Sequence, residues 1–180
     1  EVLIAAKAEA AEHCGRMPVV YIAAKMGQTE AVKLLLAARA AAHSHNDNDQ
    51  QSTLTVAVQR NRIDIIHVLI DAKANIDQIY DCTKQPVTTA VEEEHIEALE
   101  LLVSAKADIN ALTDDHDGRT PLRTAIVSDN MHALNVLINA KVDVDCARGD
   151  EEGWRSPLCQ AAVKRKCGRC HQTVGCESRH

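Results

Sequence analysis

The sequence has very few aromatic side chains. It contains no Phe, one Trp and two Tyr in 180 residues, although 46% of the residues are hydrophobic. A buried core must therefore be built from Ala, Leu, Ile and Val. Because sheet proteins depend more on aromatic and β-branched residues, this composition favours closely packed helices.

The sequence also lacks long apolar runs and a secretory leader. No run of 18 or more apolar residues occurs, and residues 1–11 have neither the basic start nor the cleavage region of a signal peptide. Seven cysteines, an odd number placed mostly singly, indicate a reducing compartment without disulfides. We therefore expect a cytoplasmic or nuclear protein that does not bind membranes.

The charge and the reactive residues exclude further classes of protein. A formal net charge of −6 argues against nucleic-acid binding, which needs clustered Lys and Arg on one face. None of the nine histidines stands with a Ser or Cys in a recognisable catalytic context, and there is no phosphate-binding loop. We predict that the chain is not an enzyme and has no small-molecule substrate.

A short pattern recurs along the chain. Its copies begin at residues 18, 52, 85, 120 and 156, which are 34, 33, 35 and 36 residues apart. Ser or Thr opens three copies and Pro follows in two of these, Thr120-Pro121 and Ser156-Pro157, as at the start of a helix. Each copy places a small residue five positions on, where neighbouring helices would approach closely: Ala23, Ala57, Ala90, Ala125 and Ala161.

A second apolar segment follows each of the first four starts at a constant offset. Its residues have the i, i+3, i+4 spacing of a helix face. A single pair of helices cannot bury this face, so neighbouring pairs are expected to stack. The triplets are Val32/Leu35/Leu36, Ile66/Leu69/Ile70, Leu99/Leu102/Val103 and Leu134/Leu137/Ile138.

The segments that close each unit, residues 72–77, 105–110 and 140–145, resemble the ankyrin-repeat family, as does the helix entry at 117–122. The resemblance covers roughly residues 1–163. It implies an all-α ankyrin-repeat solenoid of helix-turn-helix repeats with short β-hairpin-like connectors. Hairpin tips and first helices would form a concave face that binds proteins.

The predicted repeats divide the whole chain. We expect a partial repeat at 1–12, four repeats at 13–51, 52–84, 85–117 and 118–149, and a degenerate repeat with a Cys/His-rich tail at 150–180. The family usually has Gly where the second helix ends, in the left-handed conformation. A non-Gly residue in this conformation costs about 1 kcal/mol of strain, which a cation at the end of the helix dipole partly offsets. This sequence has a cation at each of these positions: Lys7, Arg39, Lys73, Lys106 and Lys141.

The resemblance implies a protein–protein interaction module, a scaffold or adaptor. The alternative is the targeting or regulatory arm of a larger enzyme or zinc-binding protein. Trp154 is either a contact anchor or packed beneath its hairpin. Glu92 and Glu93 either lie on a solvated face or bind a basic partner. The predicted contacts are Asn48, Gln50, Gln51, Lys84, Glu92, Glu93, His116, Asp117, Arg119, Glu152 and Trp154.

The tail contains a candidate metal site. Cys167, Cys170, Cys176 and His180 supply the number and type of ligands that tetrahedral zinc needs. The segment between the two ligand pairs is short, so closure would be strained. A plain tail or a truncated zinc domain is the alternative, and no other cofactor is expected.

Overall fold

The computed structural model describes residues 13–14 (backbone only), 17–38, 40–42, 44–46, 51–78, 85–111 and 120–143. This part of the chain has two short antiparallel strands and eight helices, which confirms the predicted all-α fold of repeated helix pairs. The strands are β1 (His13–Cys14) and β2 (Met17–Pro18). The helices are α1 (Val19–Lys25), α2 (Thr29–Ala37), α3 (Thr53–Gln59), α4 (Ile63–Asp71), α5 (Pro86–Glu92), α6 (Ile96–Ser104), α7 (Pro121–Val127) and α8 (Met131–Asn139).

The first helix of each pair begins where the repeated pattern predicts, but the caps differ. The Ser52 hydroxyl accepts from the backbone N–H of Thr55 at 2.9 Å, and the Thr120 hydroxyl accepts from that of Arg123 at 3.2 Å. These bonds satisfy N–H groups that have no partner within a helix. Gln85 and Pro18 hold the same position before α5 and α1 without a side-chain cap.

Among the described residues, one with left-handed backbone follows all four first helices and three of the four second helices. The prediction for the second helices is confirmed at Lys73 (φ 61°), Lys106 (φ 66°) and Lys141 (φ 61°). An unpredicted second series follows the first helices, at Gly27, Asn61, Glu94 and Asp129, with φ between 51° and 74°. Three of these four residues are not Gly. Backbone strain therefore occurs after the first helices as well as after the second helices.

The helices form two rows. First helices pack on first helices in the order α1, α3, α5, α7, and second helices pack on second helices in the order α2, α4, α6, α8. The predicted small residues of the described repeats, Ala23, Ala57, Ala90 and Ala125, are all buried between the first helices. Burying a Leu or Ile in such an interface contributes about 1.5–3 kcal/mol. The stack therefore derives its stability from contacts between neighbouring repeats.

The apolar triplet of the last described repeat is less covered than the others. Leu99 in α6 is fully buried, whereas Leu134, which holds the same position in α8, is only half-buried. Ile138 is 52% exposed, although the matching Val103 is half-buried. The fourth triplet thus differs from the expectation, because no described helix packs on the far side of α8.

Hydrogen bonds also join the segments that follow the second helices. An Asp77 carboxylate oxygen accepts from the backbone N–H of Asp108 at 2.8 Å. One repeat further on, the Asn110 side-chain oxygen accepts from the backbone N–H of Asp143 at 2.8 Å. The same contact at the same repeat position thus fixes the register of the second described repeat against the third and of the third against the fourth.

Candidate partner-binding surface

The segment that leads into α3 holds one of the predicted contact residues. His45 and Ser52 form an antiparallel bridge, and the side-chain oxygen of Gln51 accepts from the Tyr21 hydroxyl at 3.2 Å. The Gln51 amide nitrogen donates to the Gln59 side-chain oxygen at 3.1 Å. Half-buried Gln51 therefore links the first two described repeats, a structural role that its position in a polar loop did not reveal.

Two of the first helices, α3 and α5, have few accessible side chains. Residues 53–58 of α3 and 86–91 of α5 are buried, so these helices reach the surface through Gln59 and Glu92, their last residues. The surface that these two helices offer to a partner is therefore limited to their last residues.

The turns between paired helices lie along one edge of the stack, which we call the turn edge: residues 25–28, 59–62, 92–95 and 127–130. Two of these turns contact a neighbouring repeat. The Arg62 guanidinium lies so close to Gly27 that a Cβ there would be 2.9 Å from Arg62 Cζ. At the other end of the stack, Asn130 Nδ2 donates to the Val91 carbonyl at 3.3 Å. Contacts with a neighbouring repeat thus occur near both ends of the turn edge.

Charge is separated along the turn edge. Lys25 holds its ammonium group 5.7 Å from the centre of the Tyr21 ring, and the next turn exposes Arg60 and Arg62. The third turn carries Glu92, Glu93 and Glu94, and the fourth exposes Asp129. One half of the edge is therefore basic and the other half is acidic.

The acidic half contains two of the predicted contact residues. Glu92 is half-buried as the last residue of α5, and Glu93, which caps the helix end, is exposed, as is Glu94. Within the described part of the chain, Glu93 and Glu94 form no ion pair. Sequence reasoning missed Arg60 and Arg62; aligning the turns of successive repeats, where Glu93 matches Arg60, would have found the contrast.

The other predicted site residues lie outside the described residues. Among the residues that the structure does describe, no group of three or more His, Cys, Asp or Glu is placed to hold a metal ion. The zinc hypothesis concerns residues beyond this part and stays a prediction. The contacts outside it are Asn48, Gln50, Lys84, His116, Asp117, Arg119, Glu152 and Trp154; the metal ligands outside it are Cys167, Cys170, Cys176 and His180.

Comparison with known proteins agrees with the geometry. The family model for ankyrin repeats matches in three copies, over residues 1–80, 20–113 and 87–173. No curated protein sequence matches the chain. No helix in the described ranges has the length and hydropathy to cross a bilayer. Stacked helix pairs, a 33- to 36-residue spacing and this match together show that the chain belongs to the ankyrin-repeat family, whose members are generally protein–protein interaction modules.

Proposed function

We propose that this protein is a scaffold or adaptor that binds partner proteins across the ends of its first helices. The partner lies between the connector that precedes a first helix and the turn that follows it. A seven-residue helix such as α5 spans about 10 Å, so one partner segment can reach both. In the sequence of the third repeat, Lys84 precedes α5, and Glu92 and Glu93 stand at the end of this helix.

One observation supports this proposal: matched buried positions of successive repeats have similar residues, whereas matched positions of the turn edge have different ones. Ala57 and Ala90 are matched and fully buried. At the turn edge, by contrast, Arg60 is matched by Glu93, so the charge reverses between neighbouring repeats. Positions that only maintain the stack have no need for such variation, whereas positions that recognise a partner do.

The acidic half of the turn edge indicates the chemistry of the partner. Exposed carboxylates without an ion pair attract a basic segment and discriminate against an acidic one. We therefore propose that the partner presents Lys or Arg to Glu93, which is exposed and forms no ion pair within the described residues, and to the neighbouring Glu92.

Affinity capture followed by mass spectrometry tests this function. The wild type is compared with Glu92→Lys/Glu93→Lys and with Glu97→Lys/Glu100→Lys, which makes the same charge change on the exposed side of α6 in the same repeat. Partners that bind by the proposed surface disappear with the first variant and remain with the second. Thermal melts of both variants check that the stack is intact.

Two results would contradict the proposal. One is that the first variant retains every partner; the other is that both variants lose the same partners to the same extent. Trp154→Ala provides a separate test of the predicted aromatic anchor.

A further inference from the structure

The left-handed lysines at the ends of the second helices form a feature that repeat stacking does not explain. We call Lys73, Lys106 and Lys141 the lysine stripe. All three are exposed and have φ between 61° and 66°. Lys7 and Arg39 hold the same repeat position outside the described residues.

The first helices provide an internal comparison for the lysine stripe. Their left-handed positions carry Gly27, Asn61, Glu94 and Asp129, so this backbone conformation does not require Lys. Glu94 and Asp129 are acidic although they also follow helix C-termini. The helix dipole, which favours a cation at that end, therefore does not impose one in this protein. The recurrence of Lys at the second-helix ends needs another cause.

The stripe lysines keep their ammonium groups available. Within the described residues none of these ammonium groups forms a hydrogen bond or an ion pair. Lys33 on α2 differs, because it donates to Glu30 at 2.7 Å, a bond that raises the pKa of Lys33. The cations of the lysine stripe are thus available to an external anion.

Two carboxylates near the lysine stripe accept hydrogen bonds from backbone N–H groups. Asp77 accepts from the N–H of Asp108 at 2.8 Å, and Asp108 accepts from the N–H of Asn110 at 2.9 Å. These two carboxylates therefore accept backbone hydrogen bonds, whereas the stripe ammonium groups have no such partner. Duplex nucleic acid, with a charge about every 1.7 Å, would be repelled by these carboxylates. A chain with widely spaced negative charges would be repelled less.

The spacing of the stripe indicates the conformation of such a chain. Neighbouring packed helices are about 8–10 Å apart, which sets the approximate interval between successive stripe lysines. A polyproline II segment advances about 9 Å in three residues and brings every third side chain to the same face. We propose that the lysine stripe binds a protein segment in the polyproline II conformation with Asp or Glu at every third position.

Fluorescence anisotropy at low ionic strength tests this proposal. The probe is a labelled peptide of four Glu-Pro-Pro units, and its control has the same composition with all the glutamates in one block. We expect the periodic peptide to bind more tightly than the block peptide. Lys73→Gly/Lys106→Gly/Lys141→Gly should weaken its binding about tenfold, the sum of three exposed charge pairs.

The variants separate binding from folding. The triple Gly variant loses charge and backbone strain together, so we expect it to melt at a higher temperature than the wild type while it binds less. The triple Arg variant keeps the charges and should keep the affinity. A triple Gly variant that binds as tightly as the wild type would overturn the proposal.

Two further results would also overturn it. Equal binding of the block peptide would contradict the three-residue period. Tighter binding of a duplex oligonucleotide or of phosphatidylserine vesicles would assign the stripe to another class of partner. Because the stripe and the turn edge share no residues, neither result bears on the function proposed for the turn edge.

Discussion

The start of α5 shows how much one residue changes at a helix cap. Gln85 is 2% exposed, and its side-chain oxygen and the Thr88 hydroxyl are buried without a hydrogen-bond partner. In the preceding repeat, Ser52 caps the helix and its hydroxyl lies 2.7 Å from that of Thr55. The presence of Gln instead of Ser at this position thus explains why the Gln85 side-chain oxygen and the Thr88 hydroxyl have no hydrogen-bond partner.

We predict that Gln85→Ser stabilises the protein by about 1 kcal/mol, since it restores a capping acceptor and a partner for Thr88. Urea denaturation measures the change. Ser52→Ala, which removes the corresponding cap of α3, should destabilise the protein by a similar amount. An unchanged midpoint for Gln85→Ser would show that the cap does not limit the stability of α5.

The left-handed lysines give a second prediction at the residue scale. Lys106→Gly should raise the free energy of unfolding by about 0.5–1 kcal/mol, since relief of the strained backbone exceeds the added entropy of the unfolded chain. The same exchange at Lys33, inside α2, should lower it, because Gly is unfavourable within a helix. Thermal melts compare the two variants, and a loss of stability for Lys106→Gly would contradict the strain argument.

Among the structural elements, the segments after the second helices fix how the repeats align. Asp77→Ala removes the acceptor for the Asp108 N–H and should cost about 1 kcal/mol. Hydrogen exchange measured by NMR should show faster exchange at the Asp108 amide and little change at the Asp143 amide. Asn110→Ala should produce the reverse pattern. Equal acceleration at both amides in either variant would contradict a bond that acts between adjacent repeats.

The sequence predicted the helices well because their signals are local and repeated. Thr120-Pro121 marks a helix start by its own chemistry, and the triplet of Leu99, Leu102 and Val103 marks a helix face. The left-handed residues after the first helices were missed, since Asn61, Glu94 and Asp129 share no residue type.

The candidate surface was less predictable, because exposure and pairing depend on packing between repeats. Gln51 was expected to meet partners, yet it bonds to Tyr21 and Gln59. Glu93 is exposed, as the acidic run suggested. Its contrast with Arg60 becomes visible only when the repeats are placed side by side.

At the scale of the whole molecule, the contribution of a residue to the free energy of unfolding depends on where its repeat lies in the stack. Leu99→Ala should cost about 3 kcal/mol, because a buried Leu leaves a cavity between packed helices. Leu134→Ala, the same change at the same repeat position in half-buried surroundings, should cost about 1 kcal/mol. Chemical denaturation measures both, and equal losses would show that α8 is as well covered as α6.

Each inner first helix packs between two helices of its own kind, α3 between α1 and α5, and α5 between α3 and α7. Deleting the chain from one helix start to the next would therefore leave two faces that still match. Whole units can be gained, lost or reordered without redesigning the interior. Each gain, loss or exchange of a repeat changes the order in which charges such as those of Arg60 and Glu93 follow one another along the turn edge. The choice of partner can therefore change faster than the buried interfaces between the helices.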